Sequence, residues 1–140
     1  MKLTRCRTWV SMLAVISLTG CDFFTPEPAD PLLRKRAIAI REAPPELVFD
    51  GKLAGQPVFL IVHDCEVFSV TRAPGQAAAE WTSLVKPEFY PFFTACVRES
   101  LSFDGRVMTA VLGRQAIGAG GCCASGGTYR SVDGQVWKKD

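Results

Sequence analysis

Downstream of Glu46, apolar and polar residues alternate with a period of two, in short stretches broken by Gly, Pro and Asp, the pattern of antiparallel strands. Leu47-Val48-Phe49 is the first stretch and runs into Asp50-Gly51, a turn dipeptide. Pro57 to Thr71 is rich in Val, Phe and Ile and too long for one strand, which predicts a bend or tight turn near Asp64. Leu101 and Phe103 precede Asp104-Gly105, and Val107, Thr109 and Val111 follow it, so Val97 to Val111 reads as a hairpin. Tyr129 to Trp137 reads as a last hairpin around Asp133-Gly134. Gln76 to Val85 reads two ways: its alanines suit a helix, whereas Trp81, Thr82 and Val85 suit a strand.

Upstream of Glu46 the pattern changes. Asp30-Pro31 is a helix start, with Asp as N-cap and Pro at the first helical position. Leu32 to Arg41 is then a candidate short helix, although the alternation Ala37-Ile38-Ala39-Ile40 also fits a strand. Ala43-Pro44-Pro45 ends either one and sets the boundary between a tether region over 21–45 and a β domain over 46–140. At the start of the chain, Lys2, Arg5 and Arg7 precede an apolar run from Trp9 to Leu18, the layout of an export signal over 1–20. That run is about ten residues, half of the roughly 20 that a membrane-spanning helix needs. Leu18-Thr19-Gly20-Cys21 resembles the lipobox of bacterial lipoproteins. The resemblance implies cleavage before Cys21, acylation of its thiol, and a lipid-anchored protein on the periplasmic side of the envelope. Asp22 resembles the signal for retention on the inner membrane.

Charge changes meaning once the leader is removed. The formal +2 of the 140-residue chain includes Lys2, Arg5 and Arg7; without them 13 basic residues face 14 acidic ones. No nucleic-acid binding is expected of a domain that is close to neutral. About 120 residues form one small domain, a size that benefits from cross-links. Cys6 leaves with the leader and Cys21 carries lipid, so Cys65, Cys96, Cys122 and Cys123 remain, enough for two disulfides in any of three pairings. A bond between the neighbours Cys122 and Cys123 strains the peptide between them. The favoured pairings therefore join each to Cys65 or Cys96, which ties the C-terminal loop to two strands at about 2–4 kcal/mol per bond. Zinc held by these thiols and His63 is the rival reading; adjacent cysteines and an export signal argue against it, and neither a metal nor another cofactor is expected. The fold expected is mainly β: a small, disulfide-stapled, twisted antiparallel sheet, either a sandwich or propeller-blade-like, with a possible short N-terminal helix.

Little in the chain points to catalysis. His63 is the single histidine, and in an extended strand it and Asp64 face opposite sides. There is no G-x-S-x-G or H-E-x-x-H, and the glycines from Gly118 to Gly127 lack the Lys-Ser/Thr ending of a phosphate loop. The aromatic run Phe89, Tyr90, Phe92 and Phe93 reads first as core, with Phe89 and Phe93 on one side; a surface for a partner is the alternative. Ser131-Val132-Asp133-Gly134-Gln135-Val136-Trp137 resembles the Asp-box turn of sialidase-type propeller blades, in a shorter form.

A larger pattern combines the lipoprotein signal with Asp64-Cys65-Glu66, Phe89-Tyr90-Pro91-Phe92-Phe93-Thr94 and Tyr129-Arg130-Ser131-Val132-Asp133-Gly134. It resembles the small periplasmic lipoprotein immunity proteins that guard bacteria against type VI secretion lipase effectors. The resemblance runs loosely from Glu46 to Trp137, and Gly121-Cys122-Cys123 departs from it. It implies a protein that is not an enzyme and that covers the active site or lid of a secreted phospholipase toxin. Gly120, Gly121, Tyr129 and Asp133 are the residues expected to contact that partner. The alternative function is a structural or accessory lipoprotein of an envelope assembly.

Overall fold

The computed structural model describes residues 30–72, 74–75, 78–118 and 120–140. The signal peptide, Cys21, Asp22 and the tether to residue 29 lie outside the described residues. Two antiparallel sheets of four strands follow the chain in order. The first holds β1 (Val48–Leu53), β2 (Gln56–His63), β3 (Glu66–Thr71) and β4 (Glu80–Val85). The second holds β5 (Thr94–Phe103), β6 (Met108–Ala116), β7 (Ser125–Ser131) and β8 (Lys138–Lys139). Among the described residues, one α-helix, α1 (Pro31–Glu42), and a short 3-10 turn (Pro45–Leu47) precede them. Among the described residues no helix is long and apolar enough to cross a membrane.

Period-two burial joins the sheets into a sandwich. Leu60 and Val62 of β2, Val67 of β3 and Val85 of β4 pack against Leu101, Met108, Ala110, Leu112 and Tyr129 of the second sheet. Each large aliphatic side chain buried there contributes about 1.5–3 kcal/mol. The other face of the first sheet carries Ile61, Val70 and Trp81, which α1 covers with Ala39 and Ile40, joined by Ala43 just past its end. These three and Arg36 recur at helical spacing, and the Arg36 guanidinium lies 5.6 Å from the centre of the Trp81 ring. Asp30 starts the helix as expected: its Oδ1 accepts from the Leu32 and Leu33 amides at 2.7 and 3.2 Å.

Two-residue turns close the first sheet where consecutive residues take positive φ. Ala54 and Gly55 (48° and 80°) join β1 to β2, and Asp64 and Cys65 (52° and 57°) join β2 to β3. The turn near Asp64 is the one expected; Asp50-Gly51 is not a turn. Both of its residues lie inside β1, paired with Phe59 and Val58. The Phe49 ring lies over Gly51, 2.8 Å from where a Cβ would sit, so this glycine makes room for a ring. The ambiguous segment is a strand from Glu80 onward; residues 76 and 77 lie outside the described residues. The last hairpin is looser than its Asp-Gly suggests. The loop from Val132 to Trp137 separates β7 from β8, and Asp133 organises it by accepting from the Gln135 and Val136 amides, both at 2.8 Å. Gly134 follows with φ of 74° and would meet Leu53 Cδ1 at 2.8 Å if it carried a Cβ.

Asp104 repeats the device between β5 and β6, accepting from the Arg106 and Val107 amides at 2.8 and 2.7 Å. These amide donors hold both carboxyls below the usual aspartate value. A lowered folded value means a contribution that is present above the unfolded value, near 3.8, and is lost as pH falls through the folded value. Urea midpoints measured from pH 7 down to pH 2 should therefore fall below pH 4. The double variant D104N/D133N should keep the turns through its amide oxygens and flatten that decline.

Candidate functional site: one end of the sandwich

Three segments meet at one end of the sandwich: the Asp64–Cys65 turn, the β4–β5 crossover over 86–93, and the described residues of the β6–β7 loop, 117–118 and 120–124. The crossover contains two prolines, Pro87 and Pro91, neither of which can donate to a ladder. It is pinned at both ends. Near its start, the Glu88 carboxylate pairs with Lys139 of β8 and accepts from the Gly126 amide at 3.4 Å. The hydrogen bond from Lys139, the largest cause, lowers the Glu88 carboxyl below its usual value. At the far end, the Phe93 carbonyl accepts from the Ile117 amide at 2.9 Å.

What the crossover displays differs from the core reading of its aromatics. Phe89, Phe92 and Phe93 are 90, 70 and 87% exposed, and neighbouring Ile117 is 71% exposed. Tyr90 alone is half-buried, and its ring supports Phe92 edge-on at 5.8 Å. The reason is local. Alternation buries side chains only in a strand, and two prolines keep this segment out of both sheets.

Cys65 and Cys96 are joined to each other, with Cα atoms 5.5 Å apart. This corrects the expected pairing of each with Cys122 or Cys123. The β2–β3 turn lands beside the start of β5, so the bond ties the two sheets together. Glu99 lies under the same turn and accepts from the Cys65 amide at 3.1 Å, while Arg114 pairs with the Asp64 carboxylate at 3.4 Å. Cys122 and Cys123 are exposed and paired with each other. They lie against Gly113, where a Cβ would come within 2.5 Å of the Cys123 sulfur. Only glycine there lets the loop fold down onto β6. Cys65, Cys96 and Glu99 bring potential metal-ligand atoms within 4.8 Å, but the two sulfurs are bonded to one another. His63 sits on the outer face of the first sheet, its ring 6.2 Å from Trp81.

Beside the cysteine pair is an open cleft of about 470 Å³. Phe89, Glu88, Arg98 and Lys139 border it, with Cys122 and Cys123 on the loop side. Of the residues expected to touch a partner, Gly120 and Gly121 are exposed at this end, and Gly120 borders a second depression with Ala95 and Ile117. Tyr129 is 7% exposed and belongs to the core; burial raises its phenol above the ordinary value. Asp133 lies beyond the other end of β7, about 20 Å from the glycines at 3.3 Å per strand residue. The four do not form one surface. Sequence reasoning did not place Arg98, Glu88 and Lys139 together; they come from β5, the crossover and β8, and only the fold brings them to one cleft.

No family model, curated protein or solved structure matches the chain.

Proposed function

We propose that this chain is a lipid-anchored protein of the cell envelope, periplasmic side, that neutralises a secreted lipase-type toxin by covering it, with no catalytic step of its own. The observation that carries the reading is the cleft at the stapled end of the sandwich. Its border alternates charge, with Arg98 and Lys139 against Glu88, and Phe89 supplies an apolar wall. An apolar patch with a charged rim is the anatomy of a protein-binding site. The segments around it are fixed before binding by the Cys65–Cys96 bond, the Glu88–Lys139 pair and the Phe93–Ile117 hydrogen bond. Fixing them in advance lowers the entropy lost on association. An anchor at Cys21 adds local concentration at the lipid surface where such a toxin works.

The test is survival of cells that export a candidate secreted lipase toxin to the periplasm, with and without the protein. Survival only with the protein is expected. Equal killing would replace this reading with that of an accessory subunit of an envelope assembly.

A further inference from the structure

Phe89, Phe92, Phe93 and Ile117 form a ridge that the cleft does not use in full: Phe89 alone borders the cleft, and the others project beyond it. Three phenyl rings and a branched aliphatic chain, each 70% exposed or more, are a large apolar surface for a small domain. Its form also matters. The rings stand on a proline-bounded crossover outside both sheets, and Phe92 and Phe93 line neither the cleft nor the second depression. Lys86 opens the crossover and is exposed, and Arg98 and Lys139 border the cleft next to Phe89, where Lys139 pairs with Glu88. A rigid apolar tip whose collar holds three cations and one carboxylate fits a deformable apolar phase beneath anionic headgroups. In such a setting the rings enter the acyl boundary while the long basic side chains reach the phosphates.

The chain also limits where this tip can be. Eight residues lie between Cys21 and Asp30, the first described residue, and they span at most about 3.6 Å each, roughly 30 Å in all. A domain held that closely keeps its whole surface within reach of the bilayer. We infer that the Phe89–Phe93 crossover, with Ile117, docks into the surface of an anionic phospholipid bilayer and sets the orientation of the anchored domain. This rests on the lipid-anchor part of the reading above but not on the toxin. It turns the cleft towards the lipid surface, where a membrane-acting partner would arrive.

Two arms test it. In the first, the acylated protein carrying Phe92→Trp is reconstituted into vesicles of phosphatidylethanolamine and phosphatidylglycerol, three to one, with and without bromine on the acyl chains. Trp81 is buried and Trp137 belongs to the loop at the far end of the sandwich, so the wild type supplies the background. The added emission should be quenched by half or more in brominated vesicles. In the second, the mature chain with Cys21→Ser, which cannot be acylated, is sedimented with the same vesicles. The further change F89S/F92S/F93S should lower its partitioning at least tenfold while leaving its melting temperature unchanged. A vesicle-held F92W protein whose emission ignores bromine, or unchanged sedimentation of the triple variant, overturns the docking and gives the ridge to a protein partner. Absence of an acyl chain on Cys21 instead fails the anchor reading, and the second arm still decides the docking.

Discussion

Replacing Cys65 and Cys96 together by alanine should lower the unfolding free energy by about 3–4 kcal/mol, the loop-entropy value for a bond of this span. The two residues are 31 apart in sequence, and the bond is the covalent link between the sheets. Cys65 is fully buried, and its sulfur lies 3.4 and 3.3 Å from the Arg98 and Gly113 carbonyl oxygens. Removal therefore also leaves a void at the point where turn, β5 and β6 meet. Denaturant titration of the two proteins measures the difference. A loss below about 1 kcal/mol would mean that the sheets are held by their apolar interface alone. The matching change at Cys122 and Cys123 should cost far less, because that pair closes no loop and lies at the surface.

The second large effect is on binding. If the proposed function holds and Arg98 meets a carboxylate of the toxin, Arg98→Glu should weaken neutralisation thirtyfold or more, since breaking a charge pair buried at an interface costs about 2–5 kcal/mol. Arg98 is exposed on β5, so its own fold does not depend on it, and the melting temperature should stay within a few degrees. The affinity loss is to be read as a slower association at low salt and a faster release at any salt. An unchanged affinity would exclude the cleft border as the contact surface. A matching fall in melting temperature would make Arg98 structural.

Much of the fold is legible in the sequence because local rules and tertiary packing agree there. The helix start at Asp30-Pro31, the turn near Asp64 and the hairpin around Asp104-Gly105 all appear in the fold. Each has a local cause in its own side chains: a cap, an aspartate that tolerates positive φ, and a carboxylate that binds the amides after it. Asp50-Gly51 misleads because glycine serves close approach as well as turning, and Phe49 uses it for the first. The disulfide pairing was not legible. Excluding the neighbour pair is an argument about one peptide, whereas the pairing depends on where the β2–β3 turn meets β5. The aromatic crossover carried its signal in Pro87 and Pro91, which remove the segment from a ladder and so remove the reason for burial. The cleft was beyond reach, because Glu88 and Lys139 lie 51 residues apart and only a register error-free sheet brings them together.

The most direct measurement is a titration of the toxin's phospholipid hydrolysis with the purified, acylated protein. If the protein works by covering the lipase, activity should fall linearly and reach its floor at one molecule per toxin, with no product made by the protein alone. Full hydrolysis in the presence of excess protein would contradict the account.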